Sequence, residues 1–140
     1  MIKVVTTEYL SEAAKYIREE VFIKEQGFTV EFDDIDETAN CMVLYDDEIP
    51  IACCRYFKGD KTGEYVVGRL AVLKEYRGRH LGERMLEAVE EAVKNVGGIS
   101  MSLSAQVQAE GFYEKQGYLK KGNIYYDEHC EHIHMEKNLY

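Results

Sequence analysis

The chain of 140 residues holds a single proline, Pro50, and has no internal repeat, low-complexity tract or linker-like stretch. That absence excludes a string of flexibly joined modules and predicts one continuous domain over residues 1–140. Long apolar runs are missing as well. None approaches the roughly 20 residues that span a bilayer, and the start, Met1-Ile2-Lys3-Val4-Val5, is too brief an apolar stretch for a secretory leader. Basic charge is scarce: 17 lysines and arginines stand against 26 aspartates and glutamates, a formal net charge of −9. Such a surface repels nucleic-acid phosphates and anionic membranes, so neither is expected as a partner, and any polyanion site must be local. The four cysteines, Cys41, Cys53, Cys54 and Cys130, show no CxxC spacing and predict reduced thiols in a cytoplasmic protein. What remains is ordinary for a globular chain, with 46% hydrophobic and 31% charged residues and length enough to bury a core.

Hydrophobic periodicity organises the chain. Ile2–Val5 reads as a first strand. Leu10, Ala14, Ile17 and Val21 form an apolar helical stripe that Gly27 can end. Glu31–Glu37 reads as an acidic loop, a solvated segment or one suited to a cationic acceptor. Cys41–Tyr45 and Ile49–Phe57 form a strand pair, Gly59–Gly63 a turn, and Tyr65–Leu73 the strongest strand. Leu81, Met85, Val89, Ala92 and Val96 mark a long amphipathic helix that stops at Gly97-Gly98. Ile99–Ser104 is a further strand, Glu110–Gln116 a short helix, and Tyr118–Tyr126 with Cys130–Asn138 a last strand pair. The order β-α-β-β-β-α-β-α-β-β is most economically one sheet with helices packed on its faces.

Chemistry concentrates in Arg69-Leu70-Ala71-Val72-Leu73-Lys74-Glu75-Tyr76-Arg77-Gly78-Arg79-His80-Leu81-Gly82. A strand runs into a loop with two glycines and several cationic side chains, and the loop opens a helix. Unpaired N–H groups and the positive end of the dipole make a helix start an anion site. Glycine lets a phosphate approach the backbone, and Arg77 and Arg79 add charge-assisted hydrogen bonds. On so acidic a chain this predicts a small phosphorylated ligand. GxxxxGK[ST] and GxGxxG are both absent, which sets aside a Walker loop and a dinucleotide fingerprint.

The segment resembles the pyrophosphate loop of the GNAT acetyltransferase superfamily, whose pattern falls on Arg77, Gly78, Arg79, His80, Leu81 and Gly82, with His80 in place of the family's middle glycine. A second stretch, Ser104 to Tyr118, looks like the fifth strand of that family and the helix after it, matching at Gln106, Tyr113, Gly117 and Tyr118. Arg18-Glu19-Glu20-Val21-Phe22-Ile23-Lys24-Glu25-Gln26 is similar to the R-x-x-V-F-x-x-E-Q segment of the ElaA and YjcF-like subgroup, and Glu131–Lys137 resembles that subgroup's ending, with His132 on its usual histidine. The resemblance runs from about Arg18 onward.

It implies the α/β (α+β) acyl-CoA N-acyltransferase fold: a single mixed central sheet of about six to seven strands with helices on both faces. It implies transfer of the acetyl group of acetyl-CoA, as co-substrate, to a primary amine of a small molecule or peptide, without a metal. Leu70, Ala71 and Val72 would meet the pantetheine arm, with Val72 N–H polarising the thioester carbonyl. Residues 77–82 would cradle the pyrophosphate, Gln106 would anchor the pantetheine, and Phe112 would line the coenzyme site. Tyr113 would protonate the departing thiolate, the alternative being a packed helix aromatic. The attacking ammonium, of pKa near ~10.4, needs a base. The subgroup's glutamate before the strand-four arginine is Gly68 here, which leaves His132, Glu25 and Glu64 as residues of the right type. The resemblance also allows a homodimer through the edge of the last strands.

Two other readings stay open. On a strand, Cys130, His132, His134 and Glu136 share a face and are zinc-ligand types. Gly68 also suits a module that binds or senses acyl-CoA without turnover.

Overall fold

The structure, a computed structural model, describes residues 1–140. Alternation along the strands decides what it buries. In Asn40–Asp46 (β2), Cys41, Met42, Val43 and Leu44 are all buried, which on an element of period two requires cover on both faces. Cys41 and Val43 meet one cluster of apolar side chains, Met42 and Leu44 another. The adjacent cysteines of Ile49–Lys58 (β3) divide in the same way, Cys53 to one face and Cys54 to the other. Burial pushes both thiols well above the ordinary range, and all four cysteines are free.

These strands belong to a seven-stranded mixed sheet with Ile2–Thr7 (β1), Glu64–Val72 (β4), Ser100–Gln106 (β5), Leu119–Asp127 (β6) and Cys130–Asn138 (β7). The spatial order is β1-β2-β3-β4-β5-β7-β6, and only β4 and β5 run parallel. A parallel pair needs a crossover, which Leu81–Asn95 (α2) supplies. Leu81, Met85, Val89 and Val93 recur every four residues and seal one face together with Leu86. Val96, predicted to continue this stripe, lies past the last helical turn and is exposed.

Glu12–Arg18 (α1) covers the other face through Ala14 and Ile17. Ser11 caps it, its Oγ accepting from Ala14 N–H at 3.2 Å, so the helix begins after Leu10 rather than at it. From Glu19 to Glu25 the helix widens into π geometry, which turns Val21 and Phe22 inward and ends at Gln26 and Gly27. Such widenings concentrate at functional sites. Glu110–Lys115 (α3) follows β5. Pro50 sits opposite Tyr45 at a register shift, where a missing N–H costs no ladder bond. β6 is exposed along its whole length and forms one edge of the sheet.

The acidic stretch departs from the solvated loop expected of it. Asp34–Glu37 is a turn of 3₁₀ helix capped by Asp33, and Glu31 and Asp36 are almost fully buried. Arg18 holds both: its Nε donates to Glu31 Oε2 at 2.8 Å, and Nη1 and Nη2 donate to Asp36 at 2.7 and 3.0 Å. Arg55 grips Asp33 at 2.6 and 3.0 Å and Asp36 at 3.0 Å. Arg69 closes the cluster on Glu31 and Asp33.

Burial pushes the Asp36 carboxyl up, but Arg18, a backbone N–H and Arg55 outweigh it and hold the group at about 2. A group depressed in the folded state stabilises above its unfolded pKa and loses that contribution as pH falls through the folded one. From 3.8 to about 2, at roughly 1.4 kcal/mol per unit, the contribution is on the order of 2 kcal/mol. Urea denaturation at pH 5 and pH 2.5 should therefore show Asp36→Asn losing about 1.5 kcal/mol less than the parent protein over that interval, since part of the contribution persists above the folded pKa. Equal losses would contradict the assignment.

Candidate active site

β4 and β5 pair only over Glu64–Val66 and Ser100–Ser102. Beyond that the strands part, and β5 continues against β7 alone. The divergence starts beside a bulge in β4. Cys53 faces Ala71 and Arg55 faces Gly68, so Cys54 stands opposite both Arg69 and Leu70. Arg69 takes a left-handed φ of 53°, and bulges of this kind re-aim side chains next to sites. Between the parted strands lies a cavity of about 190 Å³.

The backbone at the end of β4 is poised toward this cleft. Leu73 N–H donates to Ile51 O at 2.9 Å, which makes Ala52 and Val72 a non-hydrogen-bonded pair of the antiparallel ladder. Val72 therefore turns its N–H away from β3, toward the side on which β5 has departed. Its carbonyl on that side accepts from Arg77 Nε at 3.0 Å.

The loop from Arg77 into α2 has the form of an anion cradle. Gly78 adopts φ 82°, which a side chain would strain. His80, at the position where the resemblance expects glycine, holds φ 60° itself, and histidine is among the residues that tolerate it. It is the N-cap of α2 but offers no side-chain cap; its ring bonds Glu83 at 3.3 Å instead. The first helical bond runs from Arg84 N–H to His80 O, so the N–H groups of Leu81, Gly82 and Glu83 lack helical partners. Gly82 serves contact between helices: a Cβ there would come within 3.1 Å of the Phe112 ring. Phe112 thus packs on the cradle's first turn.

The two loop arginines are not equivalent. Arg77 forms a bidentate pair with Glu25, both contacts at 2.6 Å. Arg79 only rests over the Tyr76 ring at 5.2 Å and remains exposed. Both Glu25 oxygens accept from Arg77, which also holds the carboxyl below its usual range, so Glu25 has no oxygen free of that pair to take a proton. Glu64 is removed by position, at the far end of β4 beside the Gly59 turn.

His132 does reach the cleft. It faces Gln106 across the β5–β7 ladder and is buried to 6% exposure, edge-on to Phe28 and stacked on Tyr125. Its Nδ1 lies 3.1 Å from Cys130 O, which can only accept, so Nδ1 carries a proton, and in the neutral ring the lone pair is on Nε2. Nε2 has no partner. It is not sealed either, because Arg55 Nε is the one enclosed side-chain polar atom left unpaired. Tyr113, on α3, also lines the cavity, between Phe112 and Tyr118. Its hydroxyl is likewise unpartnered and unsealed, and burial raises its pKa, so it stays a donor at neutral pH. Gln106 Nε2 donates to Gln26 Oε1 at 2.7 Å and so joins β5 to the end of the π segment.

The segment from Arg18 to Gln26 is thereby explained residue by residue. Arg18 anchors the acidic loop, Val21 and Phe22 enter the core, Glu25 holds Arg77, and Gln26 holds Gln106. The zinc-type face of β7 assembles no ligand set: His134 bonds Glu136 at 2.8 Å, and no three His, Cys, Asp or Glu side chains are grouped so that they could hold a metal ion. No helix is long and apolar enough to cross a membrane.

The seven-stranded mixed sheet with its three helices matches the acyl-CoA N-acyltransferase fold. A sequence model described as an acetyltransferase (GNAT) domain matches residues 5–139, and the chain belongs to that family. An uncharacterized N-acetyltransferase of Bacillus subtilis, YjcF, is 34% identical over 128 residues, covering 89% of this chain and 90% of the relative. A crystal structure of a candidate N-acetyltransferase from Lactobacillus plantarum is 28% identical, with a TM-score of 0.90 and 99% of each chain covered. Escherichia coli ElaA shares the fold at a TM-score of 0.87, with 24% identity and 98% and 99% of the two chains covered. The family supports acyl transfer as the activity.

Proposed function

We propose that the protein transfers the acetyl group of acetyl-CoA to a primary amine by direct attack in the cleft between β4 and β5. The observation that carries this reading is the unpartnered, unsealed Nε2 of His132, a residue that lines the same cavity as Tyr113. Pyrophosphate would lie on the loop from Arg77 to Gly82, against the free N–H groups of the first turn and the Arg79 guanidinium. Pantetheine would run beside Leu70, Ala71 and Val72, with Gln106 opposite and Phe112 below. The four free thiols fit a cytoplasmic enzyme.

In the reaction His132 Nε2 takes a proton from the acceptor's ammonium. The freed amine attacks the thioester carbon, and Val72 N–H stabilises the oxyanion that forms. The C–S bond then breaks, and the thiolate takes a proton from Tyr113. The remaining acidic proton on nitrogen leaves as the amide forms and restores the phenol. A thiol of pKa about 8.5 leaves readily, so the phenol assists rather than decides. Tyr113→Phe should lower kcat by about tenfold, below the usual range for acid–base groups, with acetyl-CoA affinity intact. Unchanged kcat would remove its acid role.

Arg79→Ala should raise the calorimetric Kd for CoA by about tenfold or more, since a hydrogen bond to a charged group contributes roughly 1.5–3 kcal/mol. Unaltered affinity would place the phosphates elsewhere. Turnover itself is tested by release of CoA thiol from acetyl-CoA across a panel of amines. Gly68, which leaves the subgroup's glutamate position empty, favours a second reading as a non-catalytic acyl-CoA-binding module. Saturable CoA binding with no acetylation of any amine would establish that alternative.

A further inference from the structure

Arg77, which the resemblance places among the phosphate ligands, has a full set of partners inside the chain. Its Nε donates to Val72 O at 3.0 Å. Nη1 and Nη2 donate to the two oxygens of Glu25, each at 2.6 Å. All three nitrogens are thus engaged, and the guanidinium bridges the last residue of β4 and the last residue of the π segment. Local structure brings it there. Lys74–Tyr76 forms one turn of 3₁₀ helix, with Tyr76 N–H returning to Leu73 O at 2.9 Å and Arg77 N–H to Lys74 O at 3.3 Å. That turn folds the chain back, so that Arg77 reaches a carbonyl five residues before it.

The ladder shows what this contact does to the strand edge. A residue in an antiparallel strand turns its N–H and C=O to the same side. For Val72 that side is the one β5 has left, because the neighbouring Leu73 N–H is the group that reaches Ile51 O, at 2.9 Å. An open edge there offers an arriving carbonyl oxygen a donor and an acceptor side by side. The acceptor would repel the negative charge that develops on an oxyanion. Arg77 Nε covers the acceptor and leaves the Val72 N–H. The Val72–Leu73 peptide is also held at both ends, its oxygen by Arg77 and its N–H by Ile51 O, and hydrogen bonds at the two ends of one amide polarise each other.

We infer that Arg77, fixed by Glu25, is a positioning residue that caps the Val72 carbonyl so that the parted edge presents only the Val72 N–H to the thioester, and that its side chain is not a ligand of the coenzyme phosphates. The thioester in this statement rests on the acyl-transfer reading; the cap rests on the three hydrogen bonds. Two variants that keep the net charge test it. Glu25→Gln combined with Arg77→Gln removes the pair, and Arg77→Lys keeps the cation but loses the fork that holds Glu25 and Val72 O together. Each is compared with the parent by titration calorimetry with CoA, by initial rates on an amine that the parent acetylates, and by the amide nitrogen resonance of Leu73, which shares its peptide with the Val72 carbonyl. In both variants kcat should fall by about tenfold, less than the roughly 10²- to 10³-fold of a deleted oxyanion donor, while the Kd for CoA stays within about threefold. The Leu73 resonance should move in the double variant. A phosphate ligand gives another pattern, because lysine also binds phosphate as a point charge: Arg77→Lys would keep its kcat, and the double variant would lose CoA affinity. Either of those results, or an unmoved Leu73 resonance, would overturn the inference. Should the parent bind CoA and acetylate no amine, the catalytic reading falls, and the CoA affinities with the Leu73 resonance decide the cap by themselves.

Discussion

His132→Ala should lower kcat by roughly 10²- to 10⁴-fold, the span that a positioned base contributes, and should leave the calorimetric Kd for acetyl-CoA within twofold. The reasons are local. Nδ1–H is committed to Cys130 O, so the imidazole presents Nε2 to the cavity as an acceptor. Of the other residues expected as base, Glu25 is bound to Arg77 and Glu64 lies beyond the paired end of β4. Truncation leaves a gap between Phe28 and Tyr125 of the shape of the lost ring. Added imidazole should therefore restore part of the rate in a saturable way. A histidine that served packing alone would show lost thermal stability without rescue, and that result would remove the proton-transfer role.

Arg18→Met has the largest expected effect on stability, a loss of about 3–5 kcal/mol by urea denaturation, as for other buried pairs deprived of one partner. The methionine keeps most of the buried stem, so the loss reads the charge rather than the packing. Glu31 and Asp36 would be left almost fully buried with only Arg55 and Arg69 to face them. Replacing arginine and both carboxylates together should cost less than replacing the arginine alone. A loss below about 1 kcal/mol, the scale of a surface pair, would mean that the cluster is solvated.

The strands and α2 were legible because their periodicities are strong: β2 buries both faces, and α2 repeats every four residues from Leu81 to Val93. The order of elements and the mixed sheet with helices on both faces follow from that pattern together with the family resemblance. The π segment from Glu19 to Glu25 was not legible, because its residues also suit an ordinary helix. Nor was the bulge at Arg69, where a left-handed residue that is not glycine leaves no compositional mark. His80 is the converse case, a departure from the glycine pattern that the backbone absorbs.

Charge misled most. Glu31–Glu37 reads as solvated because its partners, Arg18, Arg55 and Arg69, lie on three separate elements. Arg77 reads as a free phosphate ligand because nothing near it in sequence reveals that Glu25, fifty-two positions away, already holds it. Glu31 was singled out only as part of an acidic stretch, solvated or suited to a cationic acceptor, with nothing in the sequence to mark it apart from its neighbours.

The claim on which the account turns is that the parted strands and the glycine loop hold the acylated coenzyme. Isothermal titration of acetyl-CoA into the protein tests it directly. Saturable heat at one site per chain, weakened by Arg79→Ala and unaffected by His132→Ala, is the expected result. Absence of heat with both acetyl-CoA and CoA would contradict it.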